Sequence, residues 1–280
     1  MKNLLAGIAA STLFAALAAA PAWSAEATFE RDLTVNGRVD LTVATGSGSI
    51  HLTAGPAGHV HIFGRVKSSW GGNDDQVREI ASHPPIEQTG NIVRIGVHDG
   101  RLRNTGIDYE IEAPPDSFLK ANTGSGNVTD DGVGADSKIG TGSGSIRATG
   151  LQGGFSLSTG SGTIYGEQVG KGDVTASTGS GSIELKNLHG GLRAHTGSGS
   201  IKAGGTPDAQ WRIDTGAGSV EVWTGNVGLN LDAGSGSGSV HCDREVTTQG
   251  TMGRHHLTGK IGGGGPMMHI GTGSGSIRIH

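Results

Sequence analysis

A six-residue phrase, Thr-Gly-Ser-Gly-Ser-Ile or a near copy of it, recurs along the chain from Thr45, Thr123, Thr141, Thr159, Thr178, Thr196, Thr215, Ser235 and Thr272. It closes on Ile or Val every time, and from Val128 to Val240 those closings are 18, 18, 19, 18, 19 and 20 residues apart. A fixed period in this range marks a stacked repeat. It also decides how the composition is to be understood. With 53 Gly and 16% charged residues, the chain has the make-up of a flexible Gly/Ser linker. A linker, however, has no reason to return an aliphatic side chain at the same point of every period, whereas a coil that must bury one does.

Each period carries two apolar alternations. One precedes the Thr, as in Phe155 and Leu157 before Thr159, and the other follows it, as in Ile183 and Leu185 or Val220 and Val222. Period two specifies strands. Leu157 and Ile164 differ in parity, so an unbroken strand would put them on opposite faces, and a bend within Gly-Ser-Gly-Ser is required to aim both inward. By the same parity Thr159 points inward with Phe155 and Leu157, which argues against an outward Thr array of the ice-binding kind. The opposite corner has turn chemistry at Asn187–Gly191, Gly204–Ala209 and Thr224–Gly228. The predicted fold is an all-β, flattened β-solenoid (β-helix-like) of about 18–20-residue coils. Four modest apolar side chains do not offset the entropy of ordering one coil, so coils must stabilise one another.

Residues 26–120 depart from the period and are predicted to form a β-rich cap holding the first coil and one short helix. Leu33 and Val35, the Asn36-Gly37 turn, and Val39, Leu41 and Val43 suggest a hairpin. Asn73 and Gln76 make a capping pair for a helix whose Val77, Ile80 and Ala81 share a face and which Pro84-Pro85 stops. Strands are predicted over 92–97 and 107–111. The array, 121–280, is continuous with this cap as one structural unit. The 37-residue gap from Val240 to Ile277 leaves room for one degenerate coil around Leu257 and Ile261. The last motif runs directly into Arg278, Ile279 and His280, so an open C-terminal edge is expected, to be paired with another protomer, a partner, or a segment folded back from the N-terminal region.

Residues 1–25 read as a secretory signal peptide: Lys2, an apolar Ala/Leu-rich run over 4–20, then Pro21 and small residues, with cleavage expected between 22 and 27. No later run is apolar enough to span a bilayer as a helix. Removing the leader loses Lys2 and no acid, taking the net charge from -4 to -5. No basic stripe is evident, which excludes nucleic acid as an expected partner. The one Cys, Cys242, cannot pair within the chain and falls where other coils carry Leu185 or Val222, so it is read as a buried apolar substitute.

No catalytic, cofactor-binding or metal-ligating residue is assigned. Serial calcium sites need an Asp recurring in phase, and Asp173, Asp208, Asp214 and Asp232 do not recur so. His59 and His61 share a strand face without a third ligand in view; His255-His256 and His98-Asp99 offer no more. Asp108, Glu110 and Glu112 form one acidic face, read as solvated. Phosphate-loop and dinucleotide patterns are absent, as is a Gly-x-Ser-x-Gly elbow, and a Ser repeated in every coil is structural. A carbohydrate-binding or carbohydrate-cleaving solenoid is the alternative. It requires carboxylates and aromatics from different coils, such as Asp214, Trp211 and Trp223 with Tyr165, to converge on one groove.

The repeated Thr-Gly-Ser-Gly-Ser-Ile, the leader, and the run Asp108-Tyr109-Glu110-Ile111-Glu112-Ala113-Pro114 leading to Leu119-Lys120-Ala121-Asn122-Thr123 together resemble a bacterial family of exported β-strand-repeat proteins described as putative adhesin, of unknown function. The resemblance covers nearly all the chain after the leader. It implies a β-solenoid at the cell envelope and supplies no site residues. The expectation is therefore an exported, non-catalytic structural or adhesive interaction module, periplasmic or at the cell surface, that engages an unknown envelope protein or glycan.

Overall fold

The computed structural model describes residues 26–68, 74–97, 105–248 and 253–280. The leader, Asn73 and the His98-Asp99 pair lie outside the described residues. Each coil contributes two strands, joined by the Gly-Ser-Gly-Ser bend, to two parallel stacks. One stack, the threonine sheet, is made of the strands that lead into the motif Thr. The other, the isoleucine sheet, is made of the strands that begin at its closing Ile or Val.

Register within the stacks keeps the motif in line. Phe155–Ser161 pairs in parallel with Asp136–Thr141 on one side and Val174–Ser180 on the other, so Thr141, Thr159 and Thr178 are neighbours. Ile164–Gln168 likewise lies between Ile146–Leu151 and the start of Ile183–Ser198. Ile, Val and Leu from both sheets, with Ala176, Ala194 and Ala203, fill the space between them. The repeated Thr side chains are buried too. Thr123 donates to the carbonyl of Gly48 at 2.7 Å, Thr141 to Gly126 at 2.8 Å and Thr196 to Gly181 at 2.9 Å. Each hydroxyl thus binds one coil to the bend of the preceding one. The inward parity expected of Thr159 is what the fold has.

Stacking order departs from chain order at both ends. The coil of Asp40–Thr45 and Ile50–Ala54 sits between the coil of Ile92–Ile95 and Thr105–Ala113 and the coil of Phe118–Thr123 and Val128–Asp131. At the other end, Met267–Ser274 is inserted between the second part of Ile201–Ala217 and Leu229–Ser235, and Ile277–Ile279 between Val220–Trp223 and Val240–Cys242. The last motif is therefore interior. Both its edges are paired, which corrects the expectation of an open C-terminal edge available for self-association.

Antiparallel strands close the ends. His256–Ile261 covers Leu229–Ser235 and is itself covered by Val246–Thr248. Leu257 and Ile261 are buried in this cover rather than in a degenerate coil. At the N-terminal end Ile86–Thr89 covers Ile92–Ile95, while His59–Ser68 and then Glu26–Thr34 extend the isoleucine sheet. The expected hairpin across Asn36-Gly37 is replaced by this arrangement: Glu26–Thr34 pairs with His59–Ser68, and the chain then turns into a strand of the other sheet. Helix Asp74–Ser82 packs on these two antiparallel strands through buried Val77 and Ile80. Antiparallel ends terminate a parallel stack because they no longer present the motif to a further coil.

Candidate functional site

Outward residues form straight rows because the register is regular. On the isoleucine sheet one row runs Arg147, Tyr165, Glu184, Lys202, Glu221, Arg278 and His241. The next row outward begins with Glu167 opposite Lys186 and continues to Gly204 opposite Trp223. At Gly204 the row lacks a side chain, and there the surface sinks into a groove of about 710 Å³. Its walls are Glu184, Lys186 and Asn187 on one side and Trp223 on the other, with Lys202 along the flank.

Each wall is held in place. Indole and imidazole of Trp223 and His280 stack with centroids 5.0 Å apart and planes 5° from parallel. That covers one indole face with the coil beyond and leaves the other turned toward Gly204, while Trp223 remains 39% exposed. On the far wall Lys186 donates to Glu184 at 2.9 Å, and its ammonium lies 5.2 Å from the Tyr165 ring centre. The bond to Glu184 raises the Lys186 pKa above its ordinary value. Asn187 donates from its amide to Glu167 at 3.0 Å, and the Tyr165 hydroxyl reaches the same carboxylate at 3.3 Å. Asn187 has φ of 55°, the one non-glycine residue with positive φ among the described residues. Asn tolerates that conformation better than other side chains. The pairing of this strand with the next is bulged over the same stretch, between Leu185 and Leu188. Bulges of this kind re-aim side chains next to binding sites.

The groove offers an aromatic plate and hydrogen-bonding groups rather than a free acid or base. Glu184 is matched to Lys186, Lys202 lies 3.6 Å from Glu221, and His189 Nδ1 is turned to the Asn187 carbonyl at 2.9 Å.

Residues singled out by sequence are placed elsewhere. Trp211 is fully buried in the core, where its indole N–H donates to the Gly190 carbonyl at 2.9 Å. Asp214 is on the threonine sheet, bonded to Arg212 at 2.8 Å. Trp211, Asp214 and Trp223 therefore do not converge on one groove. Tyr165 stands behind the Lys186 wall, with the Arg147 guanidinium 4.4 Å from its ring centre.

His61 bonds to Asp32 at 2.7 Å, which raises its pKa, while His59 beside it is exposed. His256 lies 3.6 Å from Asp232. Among the described residues no group of three His, Cys, Asp or Glu is placed to hold a metal ion. Of the acidic face, Asp108 is tied to Lys67 at 2.7 Å, and Glu110 and Glu112 are exposed. Cys242 is half-buried rather than buried, and that burial raises its thiol pKa.

The groove itself was missed by sequence reasoning. The spacing places Gly204-Gly205 at a corner, and only register shows that Gly204 occupies the place held by Trp223 in the neighbouring coil.

Residues 95–280 match the model of a family described as Toastrack DUF4097. A comparison with curated proteins finds no match. Among solved structures, the chain is similar to a putative adhesin from Bacteroides fragilis NCTC 9343, at 14% identity over 91% of this chain and 97% of that one, with a TM-score of 0.47. It is also similar to a putative adhesin from Parabacteroides distasonis ATCC 8503, at 10% identity over 90% and 97% with a TM-score of 0.37. A third, a putative lipid binding protein from Parabacteroides distasonis ATCC 8503, is 14% identical over 90% and 96% with a TM-score of 0.34.

Proposed function

We propose that this chain, which belongs to the Toastrack DUF4097 family, is exported and serves as a non-catalytic structural or adhesive interaction module of the bacterial cell envelope. The observation that carries this reading is the use made of the repeated hydroxyls. From Thr123 to Thr272 the repeated Thr side chains point inward and bind the bend of the neighbouring coil. A residue spent in this way in every coil is architecture, and what remains for function is the outer face of a rigid stack. Solenoids present such faces to partners. The leader over residues 1–25 supports export. No helix among the described residues is long and apolar enough to cross a membrane. Cap and array, 26–120 and 121–280, act as one unit in this reading.

The test is fractionation of the native organism with an antibody to this chain, combined with protease shaving of intact cells. Loss on shaving supports adhesion to a surface protein or glycan. Protection within the periplasm supports an envelope scaffold, with crosslinking to identify its partner. Retention in the cytosol with the leader uncut would end the reading.

A further inference from the structure

We propose that the groove above Gly204 is a saccharide-binding site, with the free face of Trp223 as the platform for one pyranose ring. This rests on the reading of the chain as an interaction module and names the class of molecule that one of its faces takes.

A pyranose has a flat face of C–H groups and a rim of hydroxyls, each a donor and an acceptor. A site for it needs an exposed aromatic plate with mixed donors and acceptors beside it. The groove supplies both. The Trp223 plate is fixed before any ligand arrives, since His280 stacks on its far side, so little side-chain freedom is lost on binding. Opposite the plate stand a carboxylate at Glu184, the ammonium group of Lys186 and the Asn187 amide, with the Lys202 ammonium along the flank. These charges are internally matched, Lys186 with Glu184 and Lys202 with Glu221, which suits an uncharged polyhydroxyl ligand better than a polyanion. The volume, about 710 Å³, falls inside the range of roughly 300–1,000 Å³ usual for small-molecule sites.

The gap itself is a choice the fold did not force. A Cβ built on Gly204 meets nothing nearer than 4.0 Å, from the Leu185 carbonyl and the Trp223 Cβ, and the residue has no left-handed φ. Steric need accounts for Gly162 or Gly181, whose added Cβ would sit 2.0 Å from a carbonyl oxygen. It does not account for Gly204. The absence of a side chain there keeps the indole uncovered.

The test titrates the exported chain with cellotriose, maltotriose and tri-N-acetylchitotriose by calorimetry. Saturable binding is expected for at least one of them. Trp223→Ala and Gly204→Arg, the second laying a side chain over the indole, should each weaken it by about tenfold or more. Arg193→Ala on the opposite sheet should leave it unchanged. Circular dichroism and melting establish that the variants fold. A measurement on the unaltered chain stands beside them: oxidation of Trp223 by N-bromosuccinimide, followed by mass spectrometry, should slow when the bound trisaccharide is present. No binding to any of the three at millimolar concentration, full affinity in a folded Gly204→Arg chain, or unprotected Trp223 would each overturn the proposal. A chain that binds no saccharide yet is found in the envelope with a crosslinked protein partner would discard the sugar site and keep the interaction module.

Discussion

The hydroxyl of Thr159 donates to the carbonyl oxygen of Gly144 at 2.8 Å, fifteen residues earlier in the chain and one coil away in space. The bond crosses the bend, where the chain passes from one sheet to the other and backbone groups have left the ladder. Each repeated Thr therefore does for a bend what backbone pairing does for a strand, and it does so from a buried position.

Replacing Thr159 by Val keeps the shape and removes the donor, leaving the Gly144 carbonyl without this partner. Stability should fall by about 1–3 kcal/mol, as for other buried groups that lose a hydrogen bond. Thr159→Ser should retain most of it. Urea unfolding decides the matter through a lower midpoint at unchanged slope; a Val variant as stable as the parent would show that the bond contributes nothing.

The second Gly of the motif is required by close approach. A Cβ on Gly162 would lie 2.0 Å from the Gly144 oxygen, and the first Gly is confined as well, with a Cβ on Gly160 2.5 Å from the Gly142 oxygen; Gly46, in the first copy, is the exception and would meet nothing within 4 Å. Gly162→Ala should cost more than ~3 kcal/mol because the obstacle is backbone that cannot yield. Gly46→Ala should stay within ~0.5 kcal/mol of the parent. Equal melting of the two variants would contradict this account of the bend.

Asp130 is fully buried, and its Oδ1 accepts the Val133 amide at 3.0 Å. Burial pushes its pKa up from 3.8 to about 8. The folded value lies above the unfolded one, so the folded state holds the proton more tightly. Its contribution is complete below about pH 4, declines as pH rises toward 8, and is constant beyond. Asp130→Asn should remove this part of the pH dependence. Urea midpoints from pH 4 to 9 provide the comparison, and identical slopes in parent and variant would refute it.

Because the last motif is interior, removing residues 264–280 should not trim one end but part the outer coil of Leu229–Ser235 from the rest. Cooperative unfolding should be lost or the midpoint sharply lowered. In the intact chain the amide of Ile277, which donates to the Ser239 carbonyl, should exchange as slowly as that of Ile164. Rapid exchange at Ile277, or a truncated chain that melts like the parent, would contradict the stacking order.

Asn187 holds a left-handed conformation beside the groove. Asn187→Gly should therefore be nearly neutral for stability, and Asn187→Val should cost about 1–2 kcal/mol. Thermal melts of the two variants distinguish this from a role through the Glu167 bond alone, which both substitutions remove.

The coil is written in the amino-acid order: two strands of opposite parity, an inward Thr, and a bend at Gly-Ser-Gly-Ser. These follow from side-chain alternation and spacing, which are local and recur in every period, so each copy checks the others. The strand around Ile92, the helix bearing Val77 and Ile80, and the solvated face at Glu110 and Glu112 do not recur, but each is legible from its own local spacing of apolar and polar side chains. Which coil lies beside which is settled by the packing of the folded chain. The insertion of Met267–Ser274 ahead of Leu229–Ser235 rests on edges that accept any copy of the motif, because every copy presents nearly the same ladder. That packing likewise decided that Trp211 lies in the core and Trp223 outside, and that Gly204 is paired beside Trp223 at the floor of the groove. Side chains on neighbouring coils meet through register, and register is a relation between strands that no single period records.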